Sequence, residues 1–160
     1  MELKEVIIEK LNGTLKGAVL EVTDFRGDLC LTVAADKIID VCTFLKSDND
    51  LEFNMCEDVT AIDWAKRKMR FTMVYHIYSL KNKFRLRLKV NLEGETAHSV
   101  SSVWASANWY ERETFDMFGI KFTGHPDLRR VYMPEEFEYH PLRKEFPLLG
   151  IPGSIPLPKK

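Results

Sequence analysis

No two cysteines of this chain stand at a metal-binding spacing. Cys30, Cys42 and Cys56 are three in number and widely separated, and no CxxC pair occurs. The usual zinc, haem c and iron–sulfur arrangements are thereby excluded from the sequence pattern. Each cysteine has apolar neighbours, so buried free thiols are expected. Nucleotide loops are missing too: there is no GxGxxG, no P-loop and no GxSxG elbow. No apolar run approaches the roughly 18 residues that cross a bilayer. An excess of one charge is also absent. With Lys+Arg 23 and Asp+Glu 24 the formal net charge is -1, which offers no overall field to nucleic acid or anionic lipid. The start, MELKEVIIEKLNG, lacks the basic opening and apolar stretch of a secretory signal, so a cytoplasmic setting is expected. Proline is missing until Pro126, and all seven prolines follow from there.

What is present reads as one globular domain. The 160 residues are 45% hydrophobic, enough for a real core. Leu3, Val6, Ile7 and Leu11 share a helical face that Gly13 can end. Gly17–Val22 and Leu29–Val33 read as strands joined by the turn residues Thr23 to Asp28. Asp36 is positioned to cap a helix over 37–46, with Ile38, Val41, Cys42 and Leu45 inward. A strand is expected from Leu51, running on toward Trp64, and then the basic turn Lys66-Arg67-Lys68. Arg70–Leu80 and Phe84–Leu92 form the clearest hairpin. In KFRLRLKV the period of two sets Lys83, Arg85, Arg87 and Lys89 on one face and Phe84, Leu86, Leu88 and Val90 on the other. The order helix, two strands, helix, three strands predicts an α+β two-layer domain with a mixed sheet.

Beyond that domain the composition changes. Prolines from Pro126 to Pro158 block a long helix or a central strand. Yet the segment keeps Leu128, Val131, Tyr132, Met133, Phe137, Tyr139, Leu142 and Phe146, too much apolar mass for a solvated tail. At roughly 3.1 Å per residue it reaches on the order of 100 Å, further than one small domain measures. The expected organisation is therefore a domain over 1–124 and an extended docking arm over 125–160 that lies on a partner protein.

The stretch ANWYERETFDMFGIKFTGHPDLRRVYMPEEFEYHPLRKEF, Ala107 to Phe146, is dense in charged and aromatic residues. A helix from Ser102 to a stop at Gly119 is expected. On it Glu111 and Glu113 point about 200° apart, which rules out a shared-proton dyad or a glycosidase pair. Arg112 and Asp116 are spaced to pair along the helix surface. His125 and His140 each precede a proline and lie in no metal-ligand spacing. No cysteine nucleophile lies nearby. Acids and cations without a nucleophile suit ion pairing at an interface.

ERETFDMFGIKFTGHPDLRRV, Glu111 to Val131, resembles the signature of the C subunit, the 30 kDa subunit family, of the proton-pumping NADH:quinone oxidoreductase, respiratory complex I. Glu111, Arg112, Glu113, Asp116, Met117, Phe118, His125, Arg129 and Val131 match its pattern. MPEEFEYHPLRKEFPLLG resembles the family's continuation, and EDVTAIDW followed by RFTMVYHIYSL fits upstream. His98 and Ala105 stand where the family has prolines. The resemblance implies a subunit without flavin, iron–sulfur cluster or quinone ligand of its own. FMN and iron–sulfur clusters belong to partner subunits. It implies a place in the peripheral arm on the cytoplasmic face of the membrane, docked on the D subunit of the complex. The D and B subunits together form the quinone site. Membrane association is then through the complex alone. Glu111, Arg112, Glu113, Asp116, His125, Arg129, Arg130, His140 and Arg143 are the expected subunit-interface residues.

Two alternatives remain at this point. One is the equivalent subunit of a related machine, a membrane-bound [NiFe]-hydrogenase or deazaflavin dehydrogenase. The other is an RNA-binding module that uses Lys83, Arg85, Arg87 and Lys89, for which the strand itself places Phe84 on the wrong face to stack a base.

Overall fold

A computed structural model describes residues 2–151. The expected alternation of elements is found. Helix α1 (Leu3–Thr14) leads into strands β1 (Val19–Phe25) and β2 (Asp28–Val33). Helix α2 (Ile38–Ser47) crosses to β3 (Met55–Asp63), β4 (Phe71–Ser79) and β5 (Phe84–Leu92). Then come β6 (Thr96–His98), α3 (Ala107–Phe118) and β7 (Lys121–Thr123). Five strands make one sheet in the order β1-β2-β5-β4-β3. All neighbours are antiparallel except β2 and β5, which run parallel through Leu31 opposite Leu88. The sheet is mixed because the β3–β4–β5 meander starts at the far edge and returns to lie beside β2. The two short strands β6 and β7 pair in parallel as a separate ribbon.

The helices contribute to one core with the sheet. From α1 come Ile7 and Leu11, and from α2 Ile38, Val41, Cys42 and Leu45. Leu31, Met73, Tyr75, Ile77, Leu86 and Leu88 meet them from alternate positions of their strands, as the period of two requires. All three cysteines are buried free thiols. Burial pushes the Cys56 thiol up to about 12, so it has almost no nucleophilic thiolate near neutral pH.

Several local expectations are corrected. Asp36 does not cap α2. It lies in a 3₁₀ turn, Ala35–Lys37, where the Lys37 N–H is already satisfied by the Ala34 carbonyl. The third strand starts at Met55, not Leu51. Leu51 and Glu52 donate their N–H groups to the Asp48 carbonyl and Glu52 has φ +43°, which keeps this segment out of the ladder. Lys83 belongs to the β4–β5 turn, at φ +50°, and not to the cationic stripe. Arg85 pairs with Glu57 at 2.6 Å, and Arg87 donates to His76 Nε2 at 3.1 Å. Register also brings Tyr78 opposite Arg85 and His76 opposite Arg87, so aromatic rings do share that face, supplied by β4. Both arginines are engaged by these internal partners, which weakens the case for RNA.

Candidate functional site

Helix α3 packs on β3. Three side-chain donors fix that seat. The Trp104 indole N–H donates to the Phe53 carbonyl at 3.0 Å, Ser106 Oγ to Cys56 O at 3.0 Å, and Thr114 Oγ1 to Val59 O at 2.8 Å. β3 is an edge strand, so the helix also guards an edge open to stray pairing. The helix begins at Ala107 and not at Ser102. The preceding residues are held across its face instead: Glu111 accepts from the Val100 N–H at 2.7 Å and from Ser99 Oγ at 2.6 Å. At the other end Gly119 takes φ +76°, and its N–H donates to Phe115 O, the left-handed close that glycine permits.

Glu111 is completely buried. Burial raises its carboxyl to about 7, although the bonds from Ser99 and Val100 pull the other way. His125 stands beside it, with Nε2 at 3.9 Å from the carboxylate. The Asp127 N–H points at His125 Nδ1 at 3.0 Å, so Nδ1 accepts and Nε2–H donates to the Asn108 carbonyl at 3.1 Å. Both ring nitrogens are thereby engaged by the backbone. Ser99, Glu111 and His125 are the residue types of a hydrolase triad, but the order is wrong. The hydroxyl bonds the carboxylate directly, and the imidazole is spent on a backbone carbonyl, so no base activates the serine.

Asp116 is also fully buried, and it gathers the arm. Its Oδ2 accepts from the successive N–H groups of Val131, Tyr132 and Met133 at 3.0, 2.7 and 3.0 Å. Its Oδ1 takes Arg130 Nη1 at 2.6 Å. Burial alone would raise this carboxyl. The three backbone donors and Arg130 outweigh that and hold it below the usual carboxylate range. Arg112 therefore does not pair with Asp116. It donates instead to the carbonyls of Arg129 and Arg130, because four donors from the arm already claim the carboxylate.

The next stretch follows the same logic. His140 Nδ1 meets the Asp116 carbonyl at 2.9 Å, and the Leu142 N–H donates to Met117 O at 3.0 Å. Arg143 Nε donates to Phe118 O at 2.6 Å and Nη2 to Glu95 at 2.8 Å. A side chain on Gly119 would strike this segment, since a Cβ there would lie 2.6 Å from Arg143 Nη2 and His140. A second carboxylate, Asp63, closes the far end. It accepts from Arg70 through two bonds, from Ala65 N–H, and from Lys144 N–H of the arm at 2.9 Å. Arg70 also reaches Glu145. Arg70, with those backbone donors, holds the Asp63 carboxyl far below its ordinary range.

Of the expected interface residues, the structure brings Glu111 and His125 together inside the domain. It joins Arg112, Asp116, Arg130, His140 and Arg143 into one clasp between α3 and the arm. Glu113, partly exposed, and Arg129, exposed and paired with Asp127 at 2.9 Å, remain at the surface. The surface on which the described arm lies is thus largely the chain's own. Pro152, Pro156 and Pro158 fall outside the described residues. What the arm leaves outward is mixed: Tyr132, Tyr139, Leu142, Leu148 and Leu149 are exposed among the exposed charges of Glu135, Glu136, Glu138, Lys144 and Glu145. Sequence reasoning missed Asp63, Arg70 and Ser99 as clasp or seat residues, and it missed the close approach at Gly119. For Asp63 and Arg70 the available signal was the charged pair flanking the basic turn.

The described residues include no helix long and apolar enough to cross a membrane, and no group of three or more potential metal ligands. Residues 31–151 match the family described as "Respiratory-chain NADH dehydrogenase, 30 Kd subunit". A protein of Geobacter sulfurreducens, named as the C subunit of NADH-quinone oxidoreductase, is 46% identical over 144 residues, covering 88% of each chain. One of the same name from Roseiflexus sp. is 46% identical over 89% of this chain and 83% of its own. Among solved structures, the trypsin-resistant fragment (1-134) of Nqo5 superposes with a TM-score of 0.66 at 29% identity, over 78% of this chain and 98% of that one. A chain of an archaeal membrane-bound sulfane sulfur reductase superposes with a TM-score of 0.76 at 27% identity, over 92% and 88%. The family match takes in most of the sheet, α3 and the clasp together, and this chain belongs to the 30 kDa subunit family of the respiratory-chain NADH dehydrogenase.

Proposed function

We propose that this chain is a non-redox subunit in the peripheral arm of a membrane-bound NADH:quinone oxidoreductase. It supports electron transfer from NADH through FMN and iron–sulfur clusters of partner subunits to quinone, coupled to proton translocation. The observation that carries this reading is the 46% identity, over 88% of the chain, to a protein named for that complex. In this reading the chain docks on the D subunit, and through it lies beside the B subunit, on the cytoplasmic face. It contributes no catalytic group. The buried charges and Arg112 shape the docking surface from within, and Glu113, Arg129 and the exposed tyrosines and leucines of the arm meet the partner.

The arm is proposed as the docking element and 1–124 as the folding unit, able to unfold cooperatively without the arm. A relative solved as a trypsin-resistant fragment matches 78% of this chain, which supports a compact domain that keeps its fold apart from the rest of the chain. The likeness to an archaeal sulfane sulfur reductase chain favours one second reading, the equivalent subunit of a related membrane complex with another electron donor. Purification of the native assembly through a tag on this chain separates the two. NADH:quinone activity, FMN and iron–sulfur absorption in the assembly, with none in the isolated chain, is the expected result. A flavin or cluster bound to the isolated chain, or an assembly that oxidises hydrogen or deazaflavin but not NADH, overturns it.

A further inference from the structure

The turn between β3 and β4, Trp64 to Arg70, meets the clasp only at its ends, through Ala65 and Arg70 on Asp63, and it is the most concentrated cationic feature of the described surface. Lys66, Arg67 and Lys68 are consecutive and exposed. Among the described residues these three form no ion pair and no side-chain hydrogen bond. By contrast, Arg70, Arg85, Arg87, Arg130 and Arg143 all have acidic partners. In a chain of net charge -1, three adjacent cations left unneutralised at one tip mark a place where an anionic group is wanted.

The turn is also held stiffly. Ala65 takes φ +56°, and its N–H is fixed by Asp63 Oδ1 at 2.8 Å. The Trp64 indole N–H donates to Thr72 Oγ1 at 2.9 Å, which in turn bonds Asn91 at 2.7 Å. Arg67 stacks on the Trp64 ring, with its Cζ 3.9 Å from the centroid. A guanidinium laid on an aromatic ring loses little further freedom when its N–H edge takes a carboxylate. The same Asp63 that shapes this turn also holds Lys144 of the arm, and Arg70 reaches Glu145. The basic turn and the arm thus form one continuous surface joined through Asp63.

We propose that the Trp64–Arg70 turn is a second docking element, which seats a carboxylate-bearing segment of a neighbouring protein beside the arm. An acidic protein segment fits better than a bilayer or a nucleic acid. The Trp64 ring has one face covered by Arg67 and its N–H engaged, so it is not free to insert among lipids or to stack a base. The exposed Trp64 and Met69 on either side give the acidic segment an apolar border. The proposal rests on the assembly described above only for its expectation that the neighbour is a subunit of that complex.

The test is carried out in native membranes that contain the tagged full chain. A zero-length carbodiimide joins lysine amines to carboxylates in direct contact. The expected products link Lys66 or Lys68 to an Asp or Glu of another protein. Acetylation of the two lysines should also slow by about tenfold or more relative to the purified chain, with exposed Lys16 as the internal reference. Equal acetylation in both states, with no crosslink, overturns the proposal. Slowing that vanishes when lipid is exchanged for neutral detergent, with no protein crosslink, assigns the turn to anionic lipid and overturns it as well. A crosslink to a protein outside the respiratory complex sustains the acidic-segment proposal while refuting the assembly reading. The variant Lys66→Glu/Lys68→Glu, on a surface turn that should not disturb folding, is expected to lose the partner at low salt while keeping the unfolding midpoint of the parent.

Discussion

Replacing Asp116 with alanine should free the arm from α3 without unfolding the sheet. Asp116 accepts three backbone N–H groups and one arginine, all within 3.0 Å, at zero exposure. Its removal leaves Arg130, whose side chain is 11% exposed, without its counter-charge. Breaking a buried pair from one side costs roughly 3–5 kcal/mol. The three N–H groups would add to this, but the arm can lift and let water satisfy them, so the loss is limited to the free energy of docking. Opening of the arm should therefore become easier by about two to four powers of ten. Amide hydrogen exchange at Val131, Tyr132 and Met133 reads this directly, with β4 and β5 as internal controls. Asp116→Asn keeps an acceptor oxygen but loses the charge, and should fall between parent and alanine. Acid should act like the substitution. The folded carboxyl titrates below its unfolded value, so its stabilisation is complete above the unfolded pKa, roughly 3.9, and is lost as pH falls through the folded one. Unchanged exchange at residues 131–133 in Asp116→Ala would refute the clasp. Parallel loss of protection in β4 and β5 would show that arm and sheet open as one unit, and would refute the separate arm.

Other substitutions probe the remaining contacts. Glu111 binds its proton more tightly in the folded state, titrating at about 7 instead of near 4.5, so stability should fall by about 3 kcal/mol as pH rises through that window and then level off. Glu111→Gln should flatten this fall in denaturant titrations at pH 5 and 8, and an equal slope in both proteins would contradict the assignment. Gly119→Ala forces a side chain into φ +76° and against His140 and Arg143. It should raise exchange at Leu142 and Arg143, and unaltered exchange there would mean that the close approach is not required. Arg112→Ala and Arg129→Ala should reduce assembled complex more than Arg85→Ala or Arg87→Ala, whose ion pairs on a solvated sheet face are worth about 0–1 kcal/mol. Equal loss in all four, measured by co-purification, would put the interface elsewhere.

Much of the layout was legible in the chain because it follows from periodicity. The alternation in KFRLRLKV sorts Leu86, Leu88 and Val90 inward whatever lies around them, and Ile38, Val41, Cys42 and Leu45 declare the buried face of α2. Gly119 marks the end of α3 because few other residues close a helix in the left-handed region. Boundaries set by competition for backbone donors were not legible. Nothing local told that Asp48 would capture the N–H groups of Leu51 and Glu52, or that Glu111 would hold Ser99 and Val100 across α3.

The class of the domain, the inward residues of its helices and strands, the proline-bound character of the arm and the family signature are all written in the chain's linear order. Each of these depends on spacing or residue type within a short window. How the charges of that signature are used depends on the fold around them. Glu111 and Asp116 lie on one helix and are both buried, yet one is pushed toward protonation and the other held ionised. The difference is what the fold brings to them. Glu111 meets a hydroxyl, one N–H and an imidazole spent on a backbone carbonyl, while Asp116 meets three aligned N–H groups and a guanidinium from residues 130–133. Electrostatic energy in a buried site depends on where distant donors come to rest, and that is a property of the folded chain rather than of any segment within it.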